Sequence, residues 1–174
     1  PRSTPLYSSA ASDVYKRQFQ ASAYHSFGED LIGSVKFMAR AIHGLEDEDV
    51  RLTSRLFLPQ SRLRGFNSLK IGPKDGEDYI GGNYVSSLNF EAQLPKLLPE
   101  SSRTDISLFT DFGNIWGVDY SSAIDDTNEI RSSVGVAANI WTPVGPLSFI
   151  VAEDLSKSLN DETQTFNFRI GTSF

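Results

Sequence analysis

The chain of 174 residues contains no cysteine, a single methionine, two histidines and two tryptophans. Without cysteine, neither disulfides nor thiolate metal sites are available. His25 and His43 lack a metal-ligand spacing, and each reads as an ordinary strand or interfacial residue. No apolar run approaches the roughly 18 to 20 residues that a membrane-spanning helix needs, and mean hydropathy is −0.27. These values exclude a helical membrane protein. They leave room for a membrane β-barrel, whose strands show lipid only every second side chain. Positive charge is also scarce: 16 Lys and Arg stand against 22 Asp and Glu, for a net charge of −6. That balance argues against a nucleic-acid surface. No nucleophile–base constellation is evident. The acidic clusters Glu46-Asp47-Glu48-Asp49 and Asp125-Asp126 lack the spacing of a calcium loop. "IGPKDG" is no phosphate loop, since no Gly-Lys-Ser/Thr follows a strand there. An enzyme is not expected, nor a cofactor or a metal.

What is present is period two. The 12 Phe and an aromatic content of 11% lean toward strands. In the C-terminal "TFNFRIGTSF", Phe166, Phe168, Ile170, Thr172 and Phe174 fall on one face, with Asn167, Arg169 and Gly171 on the other. "TDISLFTDFGNIW" puts Ile106, Leu108, Thr110, Phe112 and Trp116 opposite Asp105, Ser107, Asp111 and Gly113. "NYVSSLNFEAQL" puts Tyr84, Leu88 and Phe90 opposite Asn89 and Glu91. "RSSVGVAANIW" and "GPLSFIVAEDL" alternate in the same way, and 19–27 and 31–44 fit strands less regularly. About seven strands result, several as long as the roughly nine to eleven residues of a tilted membrane-crossing strand. Connections alternate between short and long, as in outer-membrane barrels. The long one spans about 45–80, and the last strand ends at the periplasmic side. Trp116 and Trp141 lie near strand ends, where an aromatic girdle belongs. A soluble β-sandwich or lectin-like carbohydrate-binding domain shares the alternation. Strand length and the small polar second face favour a barrel with a wet lumen.

Residues 1–18, "PRSTPLYSSAASDVYKRQ", have no clear period and no apolar secretory stretch. They resemble a translated sequencing-adaptor tail and are set aside as non-native or disordered, with the barrel portion taken as 19–174. On that reading the native chain starts further upstream and this is a fragment of an incomplete barrel.

"RLRGF" at 62–66, "IGPKDGEDYIGGN", "FTDFGNIW", "RSSVGVAANIWTPVGPLSFIVAEDL" and the alternating strand ending in Phe occur in collinear order. Together they resemble the C-terminal barrel of the BamA-type outer-membrane protein assembly factors. TamA-like proteins and two-partner secretion transporters share the Arg-Gly motif and form the alternative. The resemblance implies that Arg64, Gly65 and Phe66 form a loop tip packed inside the barrel. Arg64 then meets Glu91 and Asp111, both of which strand parity puts on the lumen side. It also implies a seam beside the last strand, where Phe166, Phe168, Ile170, Gly171 and Phe174 carry the terminal signal. Gly171 either loosens that seam or makes room for lumen packing. The implied partners are unfolded outer-membrane protein clients, assembly-complex lipoproteins acting through regions absent here, and outer-membrane lipid. The implied location is the outer membrane of a Gram-negative bacterium.

Overall fold

The computed structural model describes residues 14–45, 48–126, 128–143 and 145–171. Seven antiparallel strands form one sheet in the order β1-β2-β5-β6-β7-β8-β9. They are β1 (Val14–Ser26), β2 (Ile32–Gly44), β5 (Tyr84–Leu94), β6 (Thr104–Trp116), β7 (Arg131–Thr142), β8 (Gly145–Ser156) and β9 (Phe166–Ile170). A small hairpin, β3 (Lys74–Asp75) with β4 (Asp78–Tyr79), lies within the long connection between β2 and β5. One sheet, not two packed face to face, replaces the sandwich alternative.

Among the described residues, Val14 pairs with Gly44, and 14–18 form part of β1. Backbone pairing overrides their weak period. Phe174 and Thr172 lie outside the described residues, as do Glu46 and Asp47.

The connections at one end of the sheet are short: 27–31, 95–103 and 143–144. Those at the other end are 45–83, 117–130 and 157–165; the first two are longer, while 157–165 matches 95–103 in length. The outward face exposes Phe19, Val35, Phe37, Phe90, Leu108, Val134, Val136, Val151, Phe166, Phe168 and Ile170. Such a continuous apolar surface suits lipid, and in a water-soluble monomer it would be an aggregation hazard. Near the long-loop end, Tyr84 stacks on Trp116 at 5.6 Å and meets His43 edge-on at 5.4 Å, an aromatic girdle segment. Trp141 departs from the girdle reading. It shares the inward parity of Asn139, and its indole N–H donates to Asp105 Oδ2 at 3.1 Å.

The inner face is not uniformly wet. Met38, Val85 and Ile115 point inward and pack with Leu58, Leu63, Phe66 and Ile71 of the long connection into one buried cluster. The loop brings its own apolar residues into the barrel, and the wall supplies matching ones where the loop lies. Apolar burial, worth about 25 cal/mol per Å², attracts loop to wall through this cluster.

Candidate functional site: a loop tip seated on the inner wall

Strand register builds the seat. Asn89, Asp111 and Ser133 are direct partners across β5, β6 and β7, so their side chains form one inward row. The next row contains Ser34, Glu91, Phe109 and Gly135. The Arg64-Gly65-Phe66 tip lies on these two rows.

Asp111 is fully buried and takes three bonds from Arg64: Nε at 2.7 Å, Nη2 at 2.8 Å and the backbone N–H at 3.0 Å. The guanidinium fork matches both carboxylate oxygens at once, which an ammonium cannot do. Asn89 Nδ2 donates to Asp111 Oδ1 at 2.9 Å and to the Arg62 carbonyl at 2.7 Å, holding carboxylate and loop together. Ser133 Oγ donates to the Arg64 carbonyl. Glu91 is a longer partner, 3.7 Å from Arg64 Nη1 and 3.6 Å from Lys36 Nζ. It shares its charge between tip and wall, whereas Asp111 is committed to the tip.

The other face of the guanidinium lies 3.5 Å from the Phe109 ring centroid, a cation–π contact in a desolvated place. Phe109 needs Gly135 opposite it, since a Cβ there would come within 2.6 Å of the ring. Gly65 has φ +89°, and a Cβ would meet Ala152 Cβ at 3.0 Å and Ser133 Cβ at 3.3 Å. Both the left-handed backbone and the close approach call for glycine. Phe66 is 1% exposed within the loop–wall cluster.

The terminal-strand residues are elsewhere. Phe166, Phe168 and Ile170 face outward on β9 and are exposed. Gly171 follows β9; its N–H donates to the Pro146 carbonyl at 2.8 Å, and a Cβ would lie 2.9 Å from Pro146 Cγ. Gly171 thus packs closely against Pro146 at the start of β8.

The Omp85 superfamily domain matches residues 4–174. The chain belongs to the Omp85 superfamily. Within it, the chain is 33% identical over 164 residues to the outer membrane protein assembly factor BamA of Neorickettsia risticii (strain Illinois), covering 91% of this chain and 22% of the relative. It is 34% identical over 139 residues to the BamA of Neisseria meningitidis serogroup B (strain ATCC BAA-335 / MC58), covering 64% and 17%. It thus spans about a fifth of the length of these curated relatives. The crystal structure of BamA from Haemophilus ducreyi lacking POTRA domains 1–3 superposes with a TM-score of 0.83 at 23% identity, over 93% of this chain and 35% of that one. The barrel fold is therefore that of a BamA-type Omp85 protein, and its place is the outer membrane of a Gram-negative bacterium.

This Omp85 chain carries two further loop clasps that sequence reasoning did not single out. Arg55, its side chain fully buried, pairs with Asp119 and lies 5.0 Å from the Tyr120 ring centroid. Asp119 Oδ2 also accepts from the Val50 N–H and from Asn83 Nδ2, each at 2.9 Å. At the second clasp, Arg131 Nε meets Asp161 Oδ2 at 2.7 Å, with both side chains nearly or fully buried. Asp161 also accepts from the Gly72 N–H at 3.1 Å and the Ser158 N–H at 2.7 Å. Each clasp joins the long loop to a different neighbouring loop. Neither has a local signature, because the contacts that join its separate segments, Arg55–Asp119, Gly72–Asp161 and Arg131–Asp161, are 30 to 89 residues apart in sequence.

Burial pushes the Asp119 carboxyl up, but donation from Val50 and Asn83 with the Arg55 charge outweighs it, and the pKa falls below the ordinary 3.8. A depressed folded pKa means the clasp contributes stability above the unfolded value and loses it as pH falls through the folded one. Proteolysis of the 45–55 segment in membranes is thus expected to accelerate below about pH 4, and Asp119→Asn should remove that acid dependence. An acid response that persists in the Asn variant would assign it to another group.

Proposed function

We propose that this chain is the C-terminal part of the barrel of an outer-membrane protein assembly factor, which folds and inserts other β-barrel proteins. The seat of Arg64 on buried Asp111 carries this reading. A long surface loop folded back onto the inner wall occupies space through which a pore would conduct, and it braces the wall from inside. Its role in this reading is mechanical: Arg64, Gly65 and Phe66 anchor the loop, Asp111 receives it, and Glu91 adds charge nearby.

Insertion would proceed by parting the seam beside β9 and pairing the freed edge with a client's terminal strand. Strand addition of this kind supplies affinity through backbone hydrogen bonds and specificity through alternate side chains. Unpaired backbone groups in lipid cost several kcal/mol each, so a seam that opens must be weakly closed. This seam would lie between the first and last strands of the barrel, and among the described residues β9 stands at the edge of the sheet with that side free. The partners would be unfolded outer-membrane clients, the lipoproteins of an assembly complex and the surrounding lipid; no covalent chemistry and no cofactor enter the proposal.

Depletion of the protein from its cells tests the assignment. Quantitative proteomics of the outer membrane is expected to show many unrelated barrel proteins falling together. A fall confined to one exported protein would instead mark a transporter with a dedicated cargo.

A further inference from the structure

The tip has a second set of partners, all on the segment that leads into β9. The Asn67 N–H donates to the Glu162 carbonyl at 2.9 Å, the Gln164 N–H to the Gly65 carbonyl at 2.9 Å, and the Glu162 N–H to the Lys70 carbonyl at 3.0 Å. Phe66 and Thr163 are thereby bridged as an antiparallel pair. Side chains reinforce the ladder. Lys70 Nζ lies 2.9 Å from both Glu162 carboxylate oxygens, and Asn67 Nδ2 donates to Glu162 Oε2 at 3.1 Å. Gln60 Nε2 donates to Gln164 Oε1 at 3.1 Å, and Asn167 Nδ2 of β9 reaches the same oxygen at 3.4 Å. Leu69 sits at the corner of this turn with φ 62°, a conformation leucine seldom adopts and which the surrounding bonds must hold.

We propose that residues 162–164 are a positioning segment that seats the Arg64-Gly65-Phe66 tip and couples its seating to the last strand. The inference rests on the assembly reading above and adds to it a mechanical route. Three backbone bonds within a few residues bridge the tip to the entry of β9. When the β8–β9 connection shifts, the tip must follow or the ladder must break. Asp111 holds the tip from one side and the 162–164 segment from the other. By linkage, whatever loosens one loosens the other.

The test uses the full-length protein in outer membranes, with a cysteine in place of Leu63, which is 1% exposed beside the tip. Maleimide labelling of Leu63→Cys should be slow. Gln164→Pro removes the N–H that meets Gly65, and is expected to raise the rate about tenfold, the worth of one unmade buried hydrogen bond. Gln164→Ala keeps that N–H and should raise it much less. Lys70→Glu and Glu162→Lys should each raise labelling, and the two combined should restore it. In the opposite direction, Arg64→Ala should raise labelling of a cysteine in place of Asn167 on β9. Fast labelling of Leu63→Cys with no other change would overturn the seated tip itself, and this proposal with it. Slow labelling that neither Gln164→Pro nor the single charge reversals alter would leave the Asp111 seat standing and overturn the positioning role. Failure of the combined charge swap to restore slow labelling, or no response at Asn167, would likewise overturn it. Should Gln164→Pro not reach the membrane, the charge pair decides.

Discussion

Arg64→Ala in the full-length protein is expected to cost roughly 3–5 kcal/mol of barrel stability, the usual penalty for stranding one member of a buried pair. Asp111 is fully buried and would lose both guanidinium donors at once, keeping Asn89 and the backbone N–H of residue 64. That N–H survives the substitution chemically but depends on the tip staying in place. Heat-modifiability on gels should report a lower unfolding temperature, and the assembly of client barrels should fall with it. Arg62→Ala is the internal comparison. Arg62 makes one side-chain contact, to Asn89 Oδ1 at 3.5 Å, at the limit of a hydrogen bond. Its loss should cost less than about 1 kcal/mol. Arg64→Lys should stay impaired, because a single ammonium cannot span both Asp111 oxygens or stack on Phe109 in the same way. Equal and negligible effects of the two alanine variants would remove the anchor from the mechanism.

Asp161→Ala is expected to have a comparable effect, and at a position that carries no motif. The substitution leaves the Arg131 guanidinium buried with Asn114 and a carbonyl as its remaining partners, and it strips the Gly72 and Ser158 N–H groups of their acceptor. A cost of about 3–5 kcal/mol follows from the stranded charge. Because Asp161 lies in the 157–165 connection and Gly72 in the long loop, the two loops should come apart locally before the strands do. Limited proteolysis at 157–165 should therefore quicken at temperatures where the sheet is still intact. Asp161→Asn separates charge from shape, since its amide oxygen can still accept from one N–H. Intact loops in both variants would show that the clasp does not hold the surface together.

The strands were legible because their signal is local. Period two survives in Phe166 to Ile170, in Ile106 to Phe112 and in Tyr84 to Glu91, and the parity that put Glu91 and Asp111 on one face follows from pleating alone. Parity cannot say how close two groups come. Asp111 takes the fork of Arg64, whereas Glu91 stands at 3.7 Å and is shared with Lys36, a difference that depends on where the loop settles in three dimensions. The pairing of residues 14–18 with 40–44 is hidden for a related reason: it rests on backbone bonds, which composition does not display. Trp141 was misplaced because being near a strand end says nothing of which face it takes.

The alternation of side chains along each strand, the sparse cations gathered around Gly65 and the absence of a spanning helix are properties of neighbours in sequence, and they alone determined a barrel wall with an unusual loop. Which carboxylate receives Arg64, why Gly135 must make room for Phe109, and how 162–164 grips the tip were decided only on folding. Those contacts join segments tens of residues apart, and their energies arise from burial and register that no local stretch of chain contains.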